Sequence, residues 1–308
     1  MAINHSKNNL MVDTTPTDKY DVAVIGAGPA GVAMVAELLG HVKSDRIIWI
    51  DDQFAAGRLQ KYGNVPSNTK VRLFVRYADS VCGQLKGNWR DDRAVKELMA
   101  LDPAGHCKLQ FAADMVECVS RYLQAAVPCI KDTAVSVTIM DDRWICKLSS
   151  GQTVASRAVI LATGCHPKTC PSPHKTVIDL DDALDPEKLS RLVTPGETVA
   201  VYGNSHSAML VMQSLTQLGI KVVNVVRRVD PRYAIYPSDP NGQIIYDNTG
   251  LKGVAADWAR AEYGKIEKRL VGEFDPSEVP KCVYAIGFER NNQLLVNGEP
   301  VSRLRRVP

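Results

Sequence analysis

Three glycines near the start of the chain have the spacing of a dinucleotide-binding turn. The run Gly26-Ala27-Gly28-Pro29-Ala30-Gly31 follows a short apolar segment, Tyr20 to Ile25, and precedes a helix-like stretch, Val32 to Leu39. In such a turn the first glycine permits the bend, the second lets the backbone approach a pyrophosphate, and the third lets the helix pack on the strand. The phosphate charge then meets a helix N-terminus, where peptide N–H groups are unpaired.

Two acidic residues end the next apolar segment. Asp51 and Asp52 follow the strand-like run Arg46 to Ile50, and Asp51 lies 25 positions after Gly26 (51 minus 26). A carboxylate at the end of this second strand accepts hydrogen bonds from the adenosine ribose hydroxyls. We choose Asp51 over Asp52 for this contact. The strand, turn, helix and acidic strand end together predict a nucleotide site.

A second and weaker copy of this pattern begins at Thr198. The apolar run Thr198 to Tyr202 leads into Gly203, and Ser205 and Ala208 occupy the positions of the second and third glycines. A side chain at the second position crowds the backbone near a pyrophosphate. His206, which opens the following helix, is a further candidate for cofactor contact, although a packing or capping role competes with that interpretation.

An arginine pair stands where the first unit has its acid. Arg227 lies 24 positions after Gly203 (227 minus 203), and Arg228 is its neighbour and alternate. An arginine at this place can pair with a 2′-phosphate, whereas an acid would bind ribose, so the pattern favours NADPH over NADH. The competing interpretation is a solvated basic pair at a strand end.

The rest of the chain must supply the elements that hold these two turns. Apolar residues on one stripe predict a helix over Phe111 to Ala126 that covers the first sheet. Proline-containing residues from Cys165 to Pro173 indicate a linker, which the acidic stretch Asp179 to Pro195 extends. The polar stretch Tyr246 to Gly253 either lines a substrate cleft or caps the helix that follows it. Strand-like runs before the linker are Thr133 to Met140, Arg143 to Leu148 and Gln152 to Ala155, an antiparallel meander, and a separate run Ala158 to Ala162.

Length, composition and charge limit the class of protein. The chain has 308 residues, 45% of them hydrophobic, 23% charged, and a formal net charge of +3. This length favours two domains, and no apolar run is long enough to span a bilayer. The eight cysteines show neither a CxxC pair nor a zinc-ligand spacing, so we expect reduced thiols, a cytoplasmic location and no metal site. The expected partner is a small-molecule substrate rather than nucleic acid or a membrane, with a homodimer left open.

With both units in hand, the chain resembles the flavin-dependent pyridine-nucleotide oxidoreductases, the class that includes thioredoxin reductases and flavin-containing monooxygenases. The resemblance runs from about Tyr20 to Phe288 and also uses Val159 to Gly164 and Tyr284 to Phe288. It implies an α/β fold with two Rossmann-like dinucleotide-binding domains, in which the NAD(P) domain is inserted into the FAD domain. The implied divisions are a flexible leader over 1–18, an FAD-binding domain over 19–172, an NAD(P)-binding domain over 173–288 and a return segment over 289–308.

The same resemblance implies FAD at the first turn, NAD(P)H at the second and further site residues. Gly57, Arg58 and Ser67 fall where this class wraps the flavin, and Ser67-Asn68-Thr69 is similar to the Ser-Asn-Thr stretch of flavin-containing monooxygenases. Asn68 is thereby implied to contact reduced flavin at its oxygen-reactive edge and is the candidate catalytic residue, with an ordinary loop turn as the competing interpretation. The predicted cofactor-binding residues are Gly26, Gly28, Pro29, Ala30, Gly31, Asp51, Asp52, Gly57, Arg58, Ser67, Thr163, Gly164, Gly203, Ser205, His206, Ala208, Arg227, Arg228 and Gly287.

Two departures keep the activity open between alternatives. Cys165 and Cys170 have a CxxxxC spacing but follow the Ala-Thr-Gly strand, so we interpret them as structural. The Gly-Asp segment with which this class ends has no match from Glu289 to Pro308, which indicates a truncated chain or a flavin held differently. The leading hypothesis is an enzyme that passes electrons from NAD(P)H through flavin to oxygen plus an organic substrate, or to another acceptor. The alternatives are a disulfide reductase of the thioredoxin reductase type and a non-catalytic or truncated redox sensor.

Overall fold

A computed structural model describes residues 19–83, 88–235, 250–291 and 293–303. In chain order the strands are β1 Tyr20–Ile25, β2 Ile47–Asp51, β3 Cys129–Lys131, β4 Ala134–Met140, β5 Arg143–Leu148, β6 Thr153–Leu161, β7 Cys165–Pro167, β8 Thr176–Ile178, β9 Thr198–Tyr202, β10 Lys221–Val226, β11 Glu267–Leu270, β12 Lys281–Tyr284, β13 Phe288–Arg290, β14 Leu295–Val296 and β15 Glu299–Pro300. The helices are α1 Pro29–Leu38, α2 Val71–Val81, α3 Arg93–Met99, α4 Leu109–Gln124, α5 Leu180–Ala183, α6 Pro186–Leu192, α7 His206–Gln217 and α8 Gly253–Glu262.

The first sheet combines a parallel part with an antiparallel meander. Its strand order is β15-β14-β4-β5-β6-β1-β2-β3, and β1 pairs in parallel with both β2 and β6. Strand β1 is buried on both faces, which explains its apolar sequence. One face packs against helices α1 and α4, and the other packs against side chains of β4, β5 and β6. The carboxyl ends of β1, β2 and β6 therefore meet at one edge.

Strand β6 corrects the prediction of two separate runs over Gln152–Ala155 and Ala158–Ala162. It is one strand that pairs antiparallel with β5 over its first half and in parallel with β1 over its second. The polar Ser156 interrupts the apolar pattern but is buried, and its hydroxyl donates to the Ala158 carbonyl at 2.9 Å. A satisfied buried hydroxyl is compatible with a continuous strand.

The second sheet is entirely parallel, with the order β11-β10-β9-β12-β8. Helices α7 and α8 pack together on one face, over buried side chains that include Val201, Met209 and Leu215. This arrangement repeats the strand, turn and helix geometry of the first unit.

The acidic stretch over Asp179–Pro195 was predicted to extend the linker, and this prediction is wrong. The stretch contains helices α5 and α6. The Asp185 side chain accepts hydrogen bonds from the N–H groups of Glu187 and Lys188 at 3.0 and 3.2 Å, and Pro186 is the first residue of α6. Acidic residues and proline therefore begin a helix here, because both suit a helix N-terminus. Leu189 is fully buried against the second sheet.

Two chain crossings connect the sheets and lie side by side. Strand β7 leaves the first sheet, strand β13 returns from the second, and the two pair antiparallel, with Glu289 opposite His166. After β13 the chain rejoins the first sheet, where β14 pairs in parallel with β4. The second unit is thus inserted between segments of the first, which confirms the predicted α/β fold class, while the domain boundaries stay predictions. Within the described residues, no helix combines the length and apolarity that a membrane crossing needs.

Candidate functional site

The first turn uses two of its glycines for packing within the protein. Gly26 has a φ of +109°, and a Cβ there would lie 2.3 Å from the Ala162 carbonyl oxygen. A Cβ at Gly31 would lie 1.9 Å from the Gly26 carbonyl oxygen. Both positions therefore exclude any side chain, which agrees with the turn and packing roles inferred from the sequence.

Gly28 differs, because no neighbour in the described residues requires glycine there. Its φ of −72° suits any residue, and an added Cβ would meet only the Gly57 Cα, at 3.9 Å. Gly28 is the N-cap of α1 and has no side chain to bind the first N–H groups of that helix. The unpaired N–H groups at this helix N-terminus suit a pyrophosphate. A Cβ at Gly57, where φ is +58°, would lie 3.0 Å from the Gly28 Cα, so these two glycines face each other.

Asp51 binds the turn from the end of β2. Its Oδ2 accepts from the Ala27 N–H at 2.7 Å, and its Oδ1 accepts from the N–H groups of Gln53 and Phe54 at 2.8 and 2.6 Å. Asp52 is exposed. Asp51 thus fixes the shape of the turn, and its ribose contact stays a prediction, as does that of Asp52.

Trp49 is a contributor that the sequence reasoning missed. It is fully buried on β2, and its Nε1 donates to the Gly26 carbonyl at 2.9 Å. A tryptophan inside an apolar strand is easily interpreted as a core residue. Its N–H, which usually has a hydrogen-bond partner when buried, was the feature that could have indicated a contact with the turn. Of the other predicted residues, Pro29 opens α1 with Ala30 beside it, and Thr163 and Gly164 follow β6 at the edge that carries Gly26.

Arg58 forms an ion pair with a residue of the second unit. Its Nη1 lies 2.8 Å from Asp181 Oδ2 on α5, and its Nε donates to the Cys165 carbonyl at 3.0 Å. The Tyr62 hydroxyl donates to Asp181 Oδ1 at 2.6 Å, and burial raises the pKa of Tyr62, so it stays protonated. Asp181 therefore joins the two units, a role that sequence reasoning did not assign, and the flavin contact of Arg58 stays a prediction.

The second turn resembles the first in shape. Gly203 has a φ of +106°, and a Cβ there would lie 2.4 Å from the Ala285 carbonyl oxygen. Ser205 is the exposed N-cap residue of α7 and makes no side-chain capping bond. Ala208 is fully buried in the core of the second unit, and Gly287, with a φ of +101°, follows β12 at the same sheet edge. The Ser205 hydroxyl, for which the described residues provide no partner, and the N-terminus of α7 fit a second pyrophosphate.

The arginine pair lies at the end of β10, on the same edge as this turn. Both side chains are exposed, and neither guanidinium of Arg227 and Arg228 has a hydrogen-bond or ion-pair partner among the described residues. The Arg228 carbonyl, in contrast, accepts from Asn204 Nδ2 at 3.0 Å. The backbone here is held while the two charges are free to bind an anion.

A cavity of about 150 Å³ lies between the two units and brings Asn68 of the first and His206 of the second to one place. Ser67 also borders it, but this serine is buried, and its hydroxyl donates to the Thr69 carbonyl at 2.7 Å and accepts from the Cys107 N–H. Apolar side chains from both units close the cavity. Its full lining is Tyr62, Val65, Pro66, Ser67, Asn68, Leu109, Leu184, His206, Ser207, Leu210, Lys252, Val254, Ala255 and Phe288.

His206 connects the starts of α7 and α8. Its Nε2 accepts from the Lys252 N–H at 2.9 Å, so its Nδ1 carries the proton in the neutral ring. Burial, together with the Lys252 charge, lowers the pKa of His206. These contacts give His206 a packing role between α7 and the segment before α8, and its cofactor contact stays a prediction. Residues 246–249 of the predicted cleft or cap lie outside the described residues, whereas Lys252 borders the cavity.

Acidification is expected to destabilise the protein partly through His206. The unfolded ring binds a proton with a pKa of about 6.5, and the folded ring does so only at lower pH, so this contribution is complete above about pH 6.5 and is lost as pH falls through the folded pKa. His206→Gln keeps an acceptor for the Lys252 N–H without titrating. Urea denaturation at about pH 7.5 and about pH 5.5 should show a smaller loss of unfolding free energy in the variant. Equal losses in the two proteins would contradict this assignment.

Two nucleotide turns at the edges of two sheets, together with a cavity between the two units, define a two-dinucleotide flavoprotein oxidoreductase. The sequence profile of the pyridine nucleotide-disulphide oxidoreductase family matches residues 20–303, and the chain belongs to this family. Membership confirms the resemblance inferred from the motifs and implies FAD and NAD(P) as cofactors.

Individual relatives agree with this family. The monooxygenase AgnR1 of Paecilomyces divaricatus is 34% identical, over 89% of this chain and 80% of the relative. Among solved structures, the ornithine N-hydroxylase of Kutzneria sp. 744 is similar with a TM-score of 0.64 at 14% identity, covering 88% of this chain and 81% of that one. The bacillithiol disulfide reductase of Staphylococcus aureus is similar with a TM-score of 0.58 at 13% identity, covering 89% and 78%. The two structural similarities speak for the fold alone.

Proposed function

We propose that this protein is an FAD-dependent monooxygenase that oxidises NADPH and inserts oxygen into a small, largely apolar organic substrate. The observation that carries the proposal is the cavity between the two units, which borders Asn68 and is closed mainly by apolar side chains. No thiol stands among its described lining residues, whereas a disulfide reductase needs a cysteine next to its flavin. The 34% identical monooxygenase supports the same choice.

The residues of the first unit fit FAD. The absence of side chains at Gly28 and Gly57 lets its pyrophosphate approach the backbone, and the N-terminus of α1 favours the negative charge. Asp51 holds the turn through the Ala27 N–H. Bound FAD would supply the two-electron chemistry that links a hydride donor to oxygen.

The residues of the second unit fit NADPH. Ser205 and the start of α7 would bind its pyrophosphate, while Arg227 and Arg228 would bind the 2′-phosphate with charge-assisted hydrogen bonds. This pairing favours NADPH over NADH, because an unphosphorylated ribose offers the guanidinium groups no anion.

The cavity residues position the substrate and exclude water. Leu184, Leu210 and Phe288 present apolar surface, which suits a substrate without charge. The exposed Asn68 amide offers both a donor and an acceptor at one side chain, and Thr69 holds its Oδ1 with a hydrogen bond of 3.3 Å. In this proposal Asn68 orients groups at the site where electrons leave the flavin.

Electron acceptors distinguish a monooxygenase from a disulfide reductase. NADPH consumption by the purified protein should require oxygen and should not resume when cystine is supplied without oxygen. Cys165→Ser and Cys170→Ser variants should retain their rates within about twofold, because both thiols are exposed and lie outside the cavity lining. Sustained anaerobic turnover with cystine, lost in either variant, would favour the reductase instead.

Replacing Asn68 with alanine is expected to separate the two half-reactions. Flavin reduction by NADPH should change by less than about twofold, while the reaction of reduced protein with oxygen should change by at least about tenfold, because one polar contact at the reacting edge is removed. Stopped-flow absorbance measures both steps. Asn64→Ala is a matched control, since Asn64 is exposed on the same loop but does not line the cavity. An unaltered oxygen reaction in Asn68→Ala would remove Asn68 from the mechanism.

A further inference from the structure

A fully buried asparagine lies beneath the second turn. Asn224 sits in the middle of the apolar strand β10 with no exposed surface. Its Nδ2 donates to the carbonyl oxygens of Val201 and Gly203, both at 2.7 Å. Burying an amide is costly unless its hydrogen bonds are made, and an apolar residue would suit this strand better for stability alone. The side chain therefore holds the first residue of the nucleotide turn.

Tyr263 extends this contact to the loop that follows β10. Its hydroxyl donates to Asn224 Oδ1 at 2.7 Å and lies 3.2 Å from the Val229 carbonyl oxygen. The tyrosine is buried, and burial raises its pKa to about 12, so the hydroxyl keeps its proton at neutral pH. The Tyr263 hydroxyl thus lies between Asn224, which binds the turn, and the Val229 carbonyl oxygen of the arginine loop, with the shorter hydrogen bond to Asn224.

Asn204 makes a second link between the same two segments. Its Nδ2 donates to the Arg228 carbonyl at 3.0 Å. The turn and the arginine loop are therefore joined at two points by side chains, whereas the guanidinium groups of Arg227 and Arg228 have no partner among the described residues. The network fixes the backbone that carries the charges and leaves the charges free.

We propose that Asn204, Asn224 and Tyr263 are positioning residues for the choice of NADPH over NADH. They hold the backbone that carries Arg227 and Arg228 beside the pyrophosphate turn, so that a guanidinium group can reach the 2′-phosphate of a nucleotide bound at this turn. Geometry of this kind matters because guanidinium and phosphate groups bind through directional, paired hydrogen bonds. The proposal rests on the NADPH preference proposed above.

The test compares 2′,5′-ADP with 5′-AMP, which lacks the 2′-phosphate. Calorimetric titration of the FAD-loaded protein should show that Tyr263→Phe lowers the affinity for 2′,5′-ADP at least about fivefold. The same variant should lower the affinity for 5′-AMP less than about twofold. Asn204→Ala should do the same and serves as the second variant, because Asn204 is only half-buried and its loss does not open the core. Tyr122→Phe, a partly buried tyrosine on α4 of the first unit, should change neither.

A double-mutant cycle distinguishes positioning from general stability. In an Arg227→Ala background, Tyr263→Phe should cause no further loss of 2′,5′-ADP affinity, since the charge it positions is gone. Equal weakening of both nucleotides by Tyr263→Phe and Asn204→Ala would overturn the positioning role. A wild-type protein that binds the two nucleotides equally would instead overturn the NADPH preference itself.

Discussion

Gly28→Ala is expected to yield a folded protein that has lost most of its FAD affinity. The backbone at Gly28 has an ordinary φ of −72°, and the added methyl group would meet only the Gly57 Cα at 3.9 Å, so folding tolerates it. The same methyl group would occupy the space assigned to the pyrophosphate. Overpacking of this size costs about 1–3 kcal/mol, which corresponds to a loss of about 5- to 150-fold in affinity. The ratio of flavin to protein absorbance after gel filtration measures the loss.

A matched glycine controls for the effect of alanine itself. A Cβ at the exposed Gly264 would meet no heavy atom within 4 Å, and this residue lies far from both turns in the sequence. Gly264→Ala should therefore retain flavin as the wild type does. Full flavin retention in Gly28→Ala, with unfolding curves alike in all three proteins, would show that no pyrophosphate lies at this turn.

Arg227→Ala is expected to weaken NADPH binding by about 10- to 150-fold and NADH binding by less than about threefold. A hydrogen-bonded charge pair contributes about 1.5–3 kcal/mol, and only the phosphorylated nucleotide makes one here. The side chain is exposed and has no partner among the described residues, so its removal should leave the fold intact. Flavin reduction rates at varied NADPH and NADH give both affinities.

Two further variants sharpen this result. Arg93→Ala removes an exposed arginine of α3 that pairs with Glu97, and it should affect neither nucleotide. Arg228→Ala tests the neighbouring charge. If Arg228→Ala alone lowers NADPH affinity, the 2′-phosphate contact belongs to Arg228. Equal weakening of NADPH and NADH by Arg227→Ala would contradict any 2′-phosphate role for that residue.

The sequence predicted the parts of the site that depend on short-range geometry. The roles of Gly26 and Gly31 follow from spacing, because a strand, turn and helix within one unit bring the same atoms together in every such turn. The structure gives the steric reason at both positions, with carbonyl oxygens 2.3 and 1.9 Å from an added Cβ. The unit repeated around Gly203 was predictable for the same cause.

Contacts between the two units were not predictable from local patterns. Arg58 and Asp181 are 123 positions apart, and Asp181 lay in a stretch interpreted as a linker because it is acidic and contains proline. His206 and Lys252 are 46 positions apart and meet through a backbone N–H, which no residue type signals. Such pairs depend on how the inserted unit packs against the first. Hydrophobic periodicity predicts helices and strands within one unit, but it does not encode the packing of one unit on another.

The two errors in secondary structure have local physical causes. The predicted linker failed because aspartate and proline are favoured both in loops and at helix starts, as Asp185 and Pro186 illustrate at α6. The prediction of a break within β6 was wrong because the buried Ser156 hydroxyl has a hydrogen-bond acceptor, the Ala158 carbonyl oxygen, within the strand. Polar residues interrupt an apolar pattern without interrupting the backbone when their hydrogen bonds are made.

The visible absorption spectrum of the purified protein, before and after anaerobic NADPH, tests the central claim most directly. An FAD-dependent oxidoreductase will show a flavin band of about one equivalent per chain that bleaches when NADPH is added and returns when oxygen is admitted. A colourless protein that takes up no added FAD would contradict it, and the chain would then be a nucleotide-binding protein without flavin chemistry.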